Sequence, residues 1–208
     1  MASSWRVFFG AIARPGRTFA ALAADPKRFR KGFRMMLIVG VLYAAAAALL
    51  AAGGALVTAP AIIPLPPQNY YFFQMIFALP FLAVLWLLSS TFAFGLSRLI
   101  GGRGAWKTTA AGLAYSFAMP CLAICIPQTV FGILLNTGMP QAEFMDLFAR
   151  PGRLQTGGWA YHGLAVAWMI GLSIASLRAA HGFRRVKAVF AAVLASALFL
   201  AAFLVCIR

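Results

Sequence analysis

The sequence predicts an all-α integral membrane protein, a bundle of about five transmembrane helices preceded by an amphipathic interfacial segment. Three observations predict it. Of 208 residues, 63% are hydrophobic and 10% charged, which excludes a disordered chain and suits no ordinary soluble domain. Five apolar runs are long enough to supply the roughly 20 residues that a crossing helix needs. Lys and Arg, 18 against 3 Asp and Glu, crowd the flanks of those runs, as basic residues do in cytoplasmic loops.

The amino-terminal segment comes first. Between residues 3 and 22, Trp5, Phe8, Phe9, Ile12 and Phe19 share the chain with Arg6, Arg14 and Arg17, a mixture that suits a helix lying in the membrane interface. Pro15-Gly16 interrupts it and predicts a bend. Lys27, Arg28, Arg30, Lys31 and Arg34 then crowd the stretch before the first span. With Arg14 and Arg17 they are the candidates for anionic lipid headgroups, although a simple orientation signal explains the same cluster. The apolar run begins near Met35, too late and too long for a secretory signal, while the Arg-rich, acid-poor opening also has the composition of a mitochondrial presequence. The reading therefore divides the chain into a basic cytoplasmic and interfacial segment, 1–34, and a five-helix transmembrane domain, 35–208.

The spans fall at about 35–56, 70–96, 108–135, 159–177 and 189–207. The second and third exceed what a bilayer core requires, so they must tilt, kink or run along the interface. Pro80 in the second, and Pro120 and Pro127 in the third, each remove an amide donor and predict a kink or break. Residues 58–69, with Pro60, Pro64, Pro66 and Pro67 and no charge, read as an extended turn. Residues 136–158 form the sizeable loop, within which 140–148 read as a short amphipathic helix. There Pro140 suits the first turn, Glu143 complements the helix dipole, and Phe144, Leu147 and Phe148 face the membrane or the bundle.

Counting Lys and Arg orients the chain. The amino-terminal segment, the second connection (Arg98, Arg103, Lys107) and the fourth (Arg178, Arg184, Arg185, Lys187) hold all but Arg150, Arg153 and Arg208. This predicts a multi-pass protein of a bacterial cytoplasmic membrane with its amino terminus cytoplasmic and its carboxyl terminus outside. Because the charge flanks apolar spans, it points to anionic lipids and not to nucleic acid.

Catalytic, metal and cofactor motifs are not found. Proton-coupled transporters place a titratable group within the bundle, yet Asp25, Glu143 and Asp146 fall outside the spans, His162 sits at a span end and His181 in a loop. Cys121, Cys125 and Cys206 read as small core residues. Gly101-Gly102-Arg103-Gly104 is flexible enough to wrap a phosphate but lacks the Lys-Ser/Thr of a nucleotide loop and follows a helix, so it reads as a turn. Small residues recur every fourth position at Gly40, Ala44, Ala48 and Ala52, and at Gly163, Ala167, Gly171 and Ala175. Both stripes predict close helix packing inside the bundle, with an oligomer interface as the alternative.

Pro15, Thr18 and Phe19 before the first span, Gly101-Gly102 after the second, and Ala114, Tyr115 and Pro120 within the third stand in a recognisable order. Trp159 opens the fourth span and Arg178-Ala179 closes it. In these features the chain resembles the bacterial branch of the Yip domain family, the Ypt-interacting proteins, over about residues 8–206. The resemblance implies a five-helix membrane domain with a cytoplasmic amino terminus. For eukaryotic relatives it implies trafficking roles with Rab-type GTPases, but the long acidic cytosolic segment and the Asp-Leu-Tyr-Gly-Pro element of those relatives are missing here, so a GTPase partner does not carry over. The functional expectation is a non-enzymatic membrane protein that binds lipids, a membrane protein partner or a second copy of itself and organises the membrane. A passive channel or small-solute transporter, lined by the proline-containing third span, is the alternative.

Overall fold

The structure, a computed structural model, describes residues 4–57 and 65–206. The middle of the proline-rich turn, the Cys206 side chain and Arg208 lie outside the described residues. Two short helices open the chain, α1 (Ser4–Ala13) and α2 (Pro15–Ala24). They part at Arg14 (φ −144°) because Pro15 occupies the first position of α2, where its missing amide donor costs nothing. The pair does not stand apart from the bundle. Val7, Phe8, Ala11, Phe19 and Leu22 are buried in the same core as Met35, Trp86 and Phe117, and α2 packs on α7 and α5. Residues 4–34 are thus built into the helical body.

Five helices are long and apolar enough to cross a membrane: α3 (Arg28–Ala52), α4 (Tyr70–Leu99), α5 (Trp106–Asn136), α7 (Arg153–His181) and α8 (Arg185–Cys206), with the short α6 (Gln141–Ala149) between the third and fourth. Most overrun the spans read from hydropathy, notably α3 and α7. Hydropathy marks the apolar slab, and a helix continues past it wherever charged side chains reach water. No strand occurs among the described residues.

The central element is α5, which packs chiefly on α3 and α7. Every residue from Thr109 to Ala118 is buried, and most are small, so neighbouring backbones come close. A Cβ added at Gly32 would lie 2.8 Å from the Ala111 Cα, and one at Gly132 would lie 2.7 Å from the Leu49 Cβ. These two contacts fasten α3 to α5 along their length. Gly112 faces Ser176 of α7 in the same way. Pro80, Pro120 and Pro127 all lie inside helices that continue without a break, as a bundle permits when neighbouring groups take up the freed carbonyls.

The two small-residue stripes have different fates. On α3, Gly40 meets Leu79 of α4, with an added Cβ 3.3 Å from its Cα; Ala44 and Ala48 are half-buried and Ala52 is exposed. On α7 the internal reading is corrected. Gly163 and Gly171 meet nothing within 4 Å, Ala167 is exposed and Ala175 half-buried. The inward face of α7 is instead Ala165, Met169, Leu172, Ser173, Ser176 and Leu177.

At the far end, Phe144 of α6 stacks on Phe131 of α5 (centroids 4.2 Å apart), whereas Leu147 and Phe148 are exposed. Gln141 pairs with the Leu56 backbone like a strand residue: its Oε1 accepts from the Leu56 amide and its Nε2 donates to the Leu56 carbonyl, both at 2.8 Å.

Candidate functional site

At one end of the bundle α3 begins, α4 ends, α5 begins, α7 ends and α8 begins, and most of the chain's cations gather there. Two clusters can be distinguished. The first surrounds the α2–α3 corner, where Asp25 shapes the turn by accepting the Lys27 amide at 2.7 Å. Its carboxylate also pairs with the Lys31 ammonium. That hydrogen bond, helped by the Lys27 amide, lowers the Asp25 carboxyl below its ordinary value.

Of the predicted headgroup ligands, Arg14, Arg17, Lys27, Arg30 and Arg34 are exposed. Lys31 is not. It is 9% exposed because helical spacing puts it on the same face as Met35, turned toward the core. Arg28 is half-buried and donates to the Asp25 carbonyl at 3.1 Å. Both side chains serve the corner itself, which corrects their placing among the headgroup ligands.

The second cluster is built by the α4–α5 turn and the α7–α8 corner. Gly101 sits at φ +89°, the left-handed conformation that closes α4: its amide donates to the Arg98 carbonyl at 3.1 Å and the Gly102 amide to the Ser97 carbonyl at 2.7 Å. Gly102 is required for another reason. A Cβ there would lie 2.7 Å from the His181 ring, the Phe183 ring and the Ser97 carbonyl. The double glycine therefore does two jobs, one conformational and one steric.

His181 is the last residue of α7 and is 5% exposed, so it belongs to a helix end and not to the loop. Its Nδ1 accepts the Gly104 amide at 3.1 Å. The proton accordingly sits on Nε2, which donates to Thr109 Oγ1 at 2.8 Å, while Thr109 in turn donates to the Ala105 carbonyl at 3.3 Å. Phe183 stacks on the imidazole with centroids 5.2 Å apart. One histidine thus ties the α4–α5 turn, α5 and α7 together.

Above this floor lies a pocket of ≈ 590 Å³ lined by Gly101, Arg103, His181, Gly182, Phe183, Arg184 and Lys187, among others. Arg103, Arg184 and Lys187 are exposed. Lys187 Nζ donates to the Ile100 carbonyl at 2.7 Å, bridging the two loops across the mouth. The reading of residues 101–104 as a turn is right in shape but leaves out this partnership, which depends on residues some eighty positions downstream. The recurrence of Gly beside Arg and Lys in both connections is the one signal that pointed to it.

Elsewhere the chemistry is sparse. Cys121 and Cys125 are buried in the core. His162 is exposed and its Nδ1 bonds the Gly158 carbonyl at 2.8 Å. No group of three or more His, Cys, Asp or Glu that could hold a metal occurs among the described residues.

A family model described as the Yip1 domain matches residues 9–207. The chain belongs to the Yip1 domain family. No curated protein and no solved structure matches it. In this Yip1 domain the residues that carried the resemblance hold structural posts. Pro15 opens α2, Phe19 is buried against α5 beside Gly112, Gly101 and Gly102 shape the pocket, and Tyr115 Oη donates to the Lys31 carbonyl at 3.3 Å. Trp159 is 75% exposed, so its place at the start of the fourth span owes nothing to the core.

Proposed function

We propose that this Yip1 domain acts without catalysis, as a multi-pass protein of a bacterial cytoplasmic membrane. Its basic end faces the cytoplasm and engages anionic lipid headgroups, or a membrane protein partner, and so organises the membrane around it. One observation carries the reading: exposed cations from five separate segments, Arg14 and Arg17, Arg30 and Arg34, Arg103, Arg178, and Arg184 with Lys187, gather at a single end of the bundle. Anionic headgroups attract such an array by about 1 kcal/mol per basic residue, an attraction that falls off within a Debye length.

The competing reading is a solute path through the proline-containing helix. Against it, α5 is continuous through Pro120 and Pro127 and buried on all sides from Thr109 to Ala118. The test is photocrosslinking in native membranes from positions 17 and 30, together with solute flux into proteoliposomes. Adducts with anionic lipid or with a recurrent membrane protein, and flux no greater than in empty vesicles, are expected. Flux that depends on the protein, with no adducts, would replace this proposal by a transport function.

A further inference from the structure

We propose that the pocket between the α4–α5 turn and the α7–α8 corner binds one phosphate group, carried by a lipid headgroup or free in solution. The proposal deepens the reading of the basic end as a headgroup-engaging surface and rests on it. Three cations line the pocket, Arg103 from the α4–α5 turn and Arg184 and Lys187 from the α7–α8 corner, and no Asp or Glu among the described residues answers them. Asp25 is paired with Lys31, and Glu143 and Asp146 stand on α6 at the opposite end. Like charges held together without a counter-charge call for an anion, and Arg with Lys suits phosphate in particular.

The site is also rigid before any ligand arrives. The bonds Gly102–Ser97, Gly104–His181 and Lys187–Ile100 fix both loops, so little ordering is needed on binding. Phe183, stacked ring on ring with His181, gives the pocket a stiff aromatic floor. The first turn of α8 opens at Arg185, beside Arg184, and its amide ends add to the positive potential.

Two features suit a phosphate that comes on a lipid. A volume of ≈ 590 Å³ leaves room beyond the phosphate for a polar headgroup. The chain neighbours of the pocket, Leu99 and Val186, are 86% and 80% exposed. Aliphatic side chains so bare, next to a basic pocket at the end of a transmembrane bundle, give acyl chains a surface to follow.

The experiment uses the purified full-length chain, delipidated in a neutral detergent. It is titrated with phosphatidic acid, phosphatidylglycerol, phosphatidylcholine and inorganic phosphate, and binding is read by native mass spectrometry. The expected result is a single saturable adduct with an anionic lipid, weakened about tenfold or more in Arg103→Gln/Arg184→Gln. The charge-matched pair Arg98→Gln/Lys107→Gln, exposed at the same end but outside the pocket lining, should bind as the unaltered chain does. Inorganic phosphate that binds alone and displaces the lipid would identify free phosphate as the ligand; failure to displace it would identify the lipid-borne group. Equal weakening by both pairs would overturn the pocket and leave a diffuse basic surface. Equal binding of phosphatidylcholine and the anionic lipids by the unaltered chain would overturn the headgroup reading as well.

Discussion

Gly171 and Ser173 lie two residues apart on α7, about 200° around the helix, and the bundle takes the second of them. Ser173 is fully buried, whereas Gly171 has open space beside it. Ser173→Leu should therefore cost about 1–3 kcal/mol by overpacking. Gly171→Leu should be neutral or raise stability by up to about 1 kcal/mol through helix propensity. Thermal aggregation of the two variants in one detergent checks the order, and a lower midpoint for Gly171→Leu would contradict the structure. The buried side of α7 was illegible in the sequence for a physical reason. Lipid and bundle interior are both apolar, so the alternation that betrays a buried face in water is lost, and alanine-rich composition generates small-residue stripes on either side. Lys31 was hidden differently, since nothing in its neighbours reveals that a lysine turns inward unless the Asp25 corner is already folded. That corner makes a pH prediction. Asp25 has a folded-state carboxyl lowered by Lys31, so its contribution is present above the ordinary carboxylate value and is lost as pH falls through the folded one. Asp25→Asn should be less stable than the unaltered chain at neutral pH, and the gap between their melting midpoints should close in acid.

Among the elements, α5 sets the spacing of its neighbours. Gly32 of α3 crosses it with backbone against backbone at Ala111, and no rotamer change can make room there for a side chain. Gly32→Val should destabilise the protein by about 1–3 kcal/mol, whereas the same change at Gly95, which has open space beside it, should cost much less. Detergent-melting midpoints of the two variants measure the difference. Gly32 and Gly132 hold the two ends of the α3–α5 crossing while Gly112 meets α7, so no stripe of small residues along one helix marks them out. The helices themselves were legible from uninterrupted apolar runs, and α6 from Pro140 and Glu143. Their packing partners were not, because partner choice depends on shape, which hydropathy does not encode.

For the whole molecule, charge and span number together give a testable orientation. Reporters fused after Arg103 and after Phe183 should lie in the cytoplasm, and those after Pro66 and Thr156 on the other side; any one on the wrong face would break the five-span arrangement. Of the candidate site, the basic loops were visible as orientation signals, but their convergence on one pocket needed α4, α5, α7 and α8 to be brought together. The same assembly leaves the chain's five tryptophans in contrasting surroundings. Trp86 is fully buried, its indole donating to the Ala110 carbonyl at 2.8 Å and its ring stacked on Phe29 with centroids 5.7 Å apart. Trp159 and Trp168 are 75% and 39% exposed on the outside of α7. Bilayers of brominated lipid should therefore extinguish the emission of Trp159 and Trp168 and spare that of Trp86, so that intrinsic fluorescence can follow, without any label, whether the aromatic centre of the bundle stays sealed while its periphery is bathed in lipid.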